Sequence, residues 1–163
     1  AWEYMEKMKN RRVPYFLDFM SWKNAFIEMH DEHPQPVTGA THMLYALDWV
    51  VDRIIEEGLE NRQERFRTSG ERLKNGMAEL GFKSGADPRY ASPVVTEFLT
   101  PGGIPAEDVR EFYIKKHNTM VGWGMRKNDE DERISFRVAH FGKAADTWRI
   151  NRMIAITREF IEE

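Results

Sequence analysis

The sequence predicts an α+β protein, in which a small, mainly antiparallel sheet is covered by helices. Two long patterns of helical period come first, strand patterns begin only after Phe82, and a last helical pattern ends the chain. This order of two helices, strand, helix, two strands and helix predicts a helical layer on one side of the sheet. The 163 residues can form one domain with a core, or a small domain with an appended segment.

The N-terminal half is predicted to be helical. Aromatic and apolar residues in the first 29 positions predict two short helices that are separated at Pro14. A connector with two prolines follows over residues 30–39. Beyond it, apolar residues at helical spacing predict a long helix over 40–58 and a second one over about 61–80.

The C-terminal half is predicted to hold the sheet. Residues 92–99 predict a strand, and 106–117 predict a helix with cations at its C-terminal end. A short strand or turn is expected over 119–124, and a longer strand over 133–141. The final helix is expected to begin near Asp146.

The strand over 133–141 carries the candidate binding residue, Arg137. Alternation along a strand places Ser135, Arg137 and Ala139 on one face, so the arginine stands between two small neighbours. Its planar guanidinium can receive a carboxylate through two charge-assisted hydrogen bonds. From the strand alone, an ordinary surface or interdomain arginine remains the alternative.

Composition limits the possible partners. The net charge of −3, with both signs scattered along the chain, gives no electrostatic footprint for nucleic acid or an acidic membrane. No apolar run has the length of a membrane span. The absence of cysteine removes disulfides and thiolate sites and fits a cytoplasmic enzyme. No metal site is expected, because His30 and His33 lie in a proline-bounded loop without the helical spacing of zinc-protease motifs.

Five short segments carry a family resemblance. They are Thr38-Gly39-Ala40-Thr41-His42-Met43-Leu44-Tyr45-Ala46-Leu47, Glu57-Gly58-Leu59, Leu80-Gly81-Phe82, Ser92-Pro93-Val94-Val95-Thr96 and Arg137-Val138-Ala139-His140-Phe141-Gly142. In this order the chain resembles the C-terminal part of class V aminotransferases, the pyridoxal-phosphate family that includes alanine–glyoxylate and serine–pyruvate aminotransferases. The likeness covers nearly the whole chain but less than half of a complete family member.

The resemblance implies a domain division and partners. It implies the C-terminal domain of a fold-type I pyridoxal-phosphate enzyme, preceded by a helical linker segment. Residues 1–39 would be the remnant of a large domain with its connector, and residues 40–163 the small domain with the long interdomain helix. The implied partners are an amino acid or 2-oxo acid substrate, a second identical subunit and the missing N-terminal large domain.

The resemblance also implies two site residues. Arg137 matches the arginine that holds the α-carboxylate of the substrate, and Thr38 matches a threonine that reaches the cofactor phosphate of the neighbouring subunit. Two positions depart from the family pattern, since Gly39 stands where proline is usual and Ala139 where glycine is usual.

The catalytic groups of the family are not found in this chain. The family uses a Schiff-base lysine and an acidic partner for the pyridine nitrogen, both upstream of the matched part. None of the nine lysines has that sequence context: Lys7, Lys9, Lys23, Lys74, Lys83, Lys115, Lys116, Lys127 and Lys143. We therefore expect the parent protein to be an aminotransferase. This chain would be its C-terminal fragment and is not expected to transfer amino groups alone.

Three other kinds of protein share parts of this pattern. Cysteine desulfurases are disfavoured because the chain has no cysteine, whereas phosphoserine aminotransferases remain possible relatives. A non-catalytic α+β ligand-binding or interaction domain would be a monomer with covered aromatic residues. The fragment interpretation instead predicts exposed apolar side chains around Trp2, Tyr15, Phe19 and Trp22, or self-association that hides them.

Overall fold

The structure of the protein is a computed structural model, which describes residues 2–8, 12–32 and 35–163. The chain divides into two compact units, Ala1–Arg53 and Ile54–Glu163. The domain boundary expected after residue 39 stays a prediction. Within the described ranges, every helix is too short or too polar to cross a membrane.

The first unit is helical, as predicted. It contains α1 (Trp2–Met8), a 3-10 turn (Tyr15–Leu17), α2 (Phe19–Glu28) and most of α3 (Thr41–Glu57). Pro14 directly precedes the 3-10 turn and separates the two short helices. Asp18 caps α2, because its carboxylate accepts hydrogen bonds from the amides of Met20 at 3.1 Å and Ser21 at 3.4 Å.

Apolar side chains of the first unit are exposed, as the fragment interpretation predicts. Tyr15 and Phe19 are 60% and 57% exposed. Trp22 is half-buried, since its indole N–H donates to the carbonyl of Phe16 at 2.9 Å and the two rings pack edge to face. The side chain of Trp2 lies outside the described part of the chain.

Helix α3 follows the predicted boundaries, yet its apolar side chains are exposed. The exposed set is Met43, Leu44, Tyr45, Leu47, Trp49, Val50, Val51 and Ile55. A helix with this much uncovered apolar surface marks an interaction surface.

The second unit contains the sheet, three complete α-helices and two short 3-10 helices. After the last turn of α3 come α4 (Leu59–Glu79), β1 (Lys83–Ser84), β2 (Val95–Leu99), α5 (Ala106–His117), β3 (Gly122–Trp123), β4 (Ser135–Ala139) and α6 (Thr147–Glu162). The strand order is β1-β2-β4-β3, and every neighbouring pair is antiparallel. The predicted fold class is therefore confirmed.

The two central strands, β2 and β4, have one buried and one open face. Their register runs from Val95 opposite Ala139 to Leu99 opposite Ser135. The buried face packs on the helices through Thr96, Phe98, Phe136, Val138 and their neighbours Leu73, Met77, Val109, Tyr113 and Ile150. Arg137 and Ala139 are exposed on the opposite face, as strand alternation predicts.

Strand β4 is shorter than the predicted range of 133–141. At its start, Arg133 makes only an isolated bridge with Lys127. At its end, His140 turns into the interior and Gly142, with φ of +55°, opens a 3-10 turn. The sheet therefore presents Arg137 at the centre of a five-residue strand.

Candidate functional site

Arg137 lies on the open face of the sheet with most of its guanidinium available. Its Nε donates to the carbonyl oxygen of Trp123 at 2.6 Å. Within the described ranges Arg137 takes part in no ion pair, so its two terminal amino groups remain for a ligand. A guanidinium fixed at Nε and free at both terminal nitrogens can bind a carboxylate with two parallel hydrogen bonds.

The neighbouring strands make room for this arginine. In register, Glu97 of β2 and Gly122 of β3 stand on either side of Arg137. A Cβ atom placed on Gly122 would lie 3.6 Å from the Arg137 Cβ and 3.8 Å from its Nε. The arginine side chain thus runs along the glycine to the carbonyl of Trp123.

Trp123 is itself held by two other arginines. The guanidinium carbon of Arg110 lies 3.6 Å from the centre of the indole ring, and that of Arg133 lies 5.2 Å away. Arg110 also donates to the carbonyl of Val121 at 3.1 Å, and Arg133 to that of Gly124 at 2.8 Å. These contacts fix the edge strand whose carbonyl orients Arg137. Sequence reasoning missed both arginines, since neither belongs to a motif.

Gly124 permits the close approach of β3 and β4. A Cβ at this position would lie 2.1 Å from the hydroxyl oxygen of Ser135 and 2.5 Å from its carbonyl carbon. The pair of glycines at 122 and 124, which superficially resembles a phosphate loop, therefore serves strand packing and side-chain placement.

Glu97 is ionised beside Arg137. Its Oε1 accepts from the amide of Met125 at 2.7 Å and from the hydroxyl of Ser135 at 2.8 Å. Burial alone would raise the pKa of the Glu97 carboxyl. The hydrogen bonds and the positive charge of Arg126 outweigh burial, so the pKa of Glu97 lies below its ordinary value.

His140 anchors the end of β4 in the interior. Its Nε2 lies 2.9 Å from the hydroxyl oxygen of Thr96, and Gly70 of α4 leaves space for the ring. Burial lowers the pKa of His140, and the positive charge of Lys74 lowers it further. Both effects favour the neutral ring, whose contact with Thr96 ties the end of β4 to β2.

Thr38 lies in the first unit, three residues before the start of α3. Its side chain is exposed. An exposed hydroxyl ahead of a helix start is a chemically suitable donor to a phosphate, but it supplies a single hydrogen bond. Thr38 thus fits a phosphate as one of several donors, and its role stays a prediction, as does that of Arg137.

The described lysines are all at least partly exposed. None of the eight that the structure describes is buried, and Lys9 lies outside the described residues. A lysine that acts as a nucleophile at neutral pH is usually desolvated or placed beside another cation.

Comparison with known proteins identifies relatives over most of the chain. An uncharacterized aminotransferase of Methanocaldococcus jannaschii is 29% identical over 142 residues, which is 87% of this chain and 35% of the relative. The (S)-ureidoglycine–glyoxylate transaminase of Bacillus subtilis is 43% identical over 77 residues, or 47% of this chain and 18% of that protein. The chain therefore spans about a third or less of the curated relatives named here. No protein-family model matches it.

The fold also occurs in solved structures. Alanine–glyoxylate aminotransferase from Nostoc sp. superimposes on the whole of this chain with a TM-score of 0.79 at 22% sequence identity. The match covers 42% of that structure. At this level of identity the likeness shows the fold.

Proposed function

We propose that this chain, which corresponds to the C-terminal part of class V aminotransferases, supplies the substrate-carboxylate site of an enzyme that moves an amino group between an amino acid and a 2-oxo acid. The observation that carries this proposal is the guanidinium of Arg137 at the centre of β4, which forms no ion pair with any residue that the structure describes and keeps both terminal nitrogens available. The relatives named above are aminotransferases, which gives no support to a stand-alone, non-catalytic domain.

The proposed task of Arg137 is to bind and orient the substrate. Amino acids and 2-oxo acids share an α-carboxylate, and the terminal nitrogens of a guanidinium match its two oxygens. The Nε bond to Trp123 fixes the plane of the guanidinium before the substrate arrives. The bound carboxylate would then set the direction in which the amino or oxo group points.

Pyridoxal phosphate, when bound, supplies the electron sink on which amino-group transfer depends. In this chain, the Thr38 hydroxyl is proposed to donate to its phosphate. The covalent lysine and the acidic partner of the pyridine nitrogen are proposed to lie upstream, in a large domain. Residues 1–39 would then be the end of that large domain, and residues 40–163 the small domain.

The exposed apolar side chains support a proposal about partners. Helix α3 and the segment around Tyr15 and Phe19 expose enough apolar surface to require cover in water. We assign that cover to the large domain and to a second copy of the same chain in a homodimer. A cytoplasmic location remains part of the same proposal.

Amino-group transfer from alanine to glyoxylate, and then from a panel of other amino acids, tests the function. The complete enzyme, supplied with pyridoxal phosphate, is expected to form the 2-oxo acid product in turnover amounts. The 163-residue chain alone is expected to form none, because it lacks the covalent lysine. Equal rates for the isolated chain, or no transfer from any amino acid by the complete enzyme, would contradict the proposal.

A further inference from the structure

Glu97 and Arg137 are cross-strand neighbours that do not pair. They stand directly opposite each other in the β2–β4 register, on the open face of the sheet. Directly opposite side chains have Cβ atoms about 4.5–5.5 Å apart, and opposite charges at such positions attract. Yet both residues are described, and the structure contains no ion pair between them. Something must hold the carboxylate away.

Two hydrogen-bond donors and one cation hold it. The Met125 amide and the Ser135 hydroxyl bind Oε1 at 2.7 and 2.8 Å. On the other side, Arg126 Nε lies 3.7 Å from Oε2. The Arg137 guanidinium, in turn, is directed to the carbonyl of Trp123 on the other neighbouring strand.

The Ser135 hydroxyl is the only one of these groups that both accepts and donates. Its oxygen accepts from the amide of Arg126 at 3.1 Å. For its single proton, Glu97 Oε1 at 2.8 Å is a nearer acceptor than the carbonyl oxygen of Arg126 at 3.5 Å. Ser135 is fully buried beneath Gly124, which shields the hydroxyl from competing water. Ser135 also lies two residues before Arg137, on the same face of β4.

We propose that Ser135 is a positioning residue: it keeps Glu97 engaged and thereby leaves Arg137 free for the carboxylate of the substrate. This inference rests on the proposed role of Arg137. Without the hydroxyl, Glu97 loses one of its three partners and turns to the guanidinium beside it. The Glu97 carboxylate then competes with the substrate for Arg137. The apparent affinity for the substrate falls in proportion to the fraction of Arg137 that is paired with Glu97.

A double-mutant cycle on the 163-residue chain tests the inference. In Ser135→Ala, the guanidinium nitrogen resonances of Arg137 are expected to shift as an ion pair with Glu97 forms. The dissociation constant for pyruvate, followed on the same resonances, is expected to rise about tenfold. In Ser135→Ala/Glu97→Gln both effects are expected to vanish, because the competing charge is gone. A merely structural role of Ser135 would not be reversed by Glu97→Gln.

Other outcomes overturn the inference. An unchanged dissociation constant for pyruvate in Ser135→Ala would overturn it. A raised dissociation constant that persists in Ser135→Ala/Glu97→Gln would also overturn it. If Ser135→Ala does not fold, Arg126→Gln removes a half-exposed partner of Glu97 instead. Arg126→Gln is then expected to raise the dissociation constant for pyruvate, and adding Glu97→Gln is expected to restore it. Any other result overturns the inference. Failure of the proposed function gives a different result, in which pyruvate shifts none of the Arg137 guanidinium resonances of the unmodified chain.

Discussion

Replacing Arg137 with alanine in the complete enzyme is expected to raise the KM for the amino donor on the order of 100-fold, while cofactor content stays unchanged. The substitution removes both charge-assisted hydrogen bonds to the substrate carboxylate, and bonds of this kind contribute about 1.5–3 kcal/mol each. Steady-state kinetics with a varied amino donor, together with the absorbance of bound cofactor, measure the two effects separately.

Two matched variants sharpen the interpretation of Arg137. Arg137→Lys keeps the charge but loses the planar fork, so its KM should lie between those of the unmodified enzyme and Arg137→Ala. Arg158→Ala removes an exposed arginine of α6 and should change neither the KM for the amino donor nor the cofactor content. An equal loss of cofactor in Arg137→Ala would assign this residue to the cofactor rather than the substrate.

Gly124→Ala is expected to have the largest effect on stability, a loss of about 3 kcal/mol in the free energy of unfolding. The new Cβ would lie 2.5 Å from the carbonyl carbon of Ser135, a backbone atom that can move only if β3 and β4 separate. Urea unfolding of the 163-residue chain measures the loss.

Gly102→Ala is the matched control for Gly124→Ala. Gly102 lies in the turn after β2, and a Cβ built there has no neighbour within 4 Å. Its free energy of unfolding should stay within about 0.5 kcal/mol of that of the unmodified chain. If both variants unfold at the same urea concentration, the close approach of β3 and β4 at Gly124 does not limit stability.

The parts of the fold that depend on local sequence could be predicted. Helix α5 runs from Ala106 to His117 as expected, since Pro105 precedes its first residue and three cations end it. The alternation along β4 correctly placed Arg137 on the face opposite Phe136 and Val138. Periodicity reports such features because they involve neighbours within a few residues.

The features that depend on distant contacts could not be predicted. Strand β1 has only two residues, too few for alternation to be recognised. The bond from Ser135 to Glu97 joins residues 38 positions apart, and the stacking of Arg110 on Trp123 joins a helix to an edge strand. No pattern in the sequence marks these pairs, because their register is set by the assembled sheet.

The exposure of α3 also lay beyond what periodicity can report. Its apolar pattern correctly predicted a helix. The same pattern does not distinguish a face that packs within the chain from one that packs on another chain or domain. Only the structure shows that these side chains are uncovered here.

Borohydride reduction followed by peptide mapping tests most directly whether this chain holds half of an aminotransferase site. The reagent makes the bond between pyridoxal phosphate and its lysine permanent, so the labelled peptide identifies that lysine. In the complete enzyme we expect one labelled lysine, upstream of residue 1, and no label on the 163-residue chain when it is treated alone. Stoichiometric label on any of its own nine lysines would contradict the account.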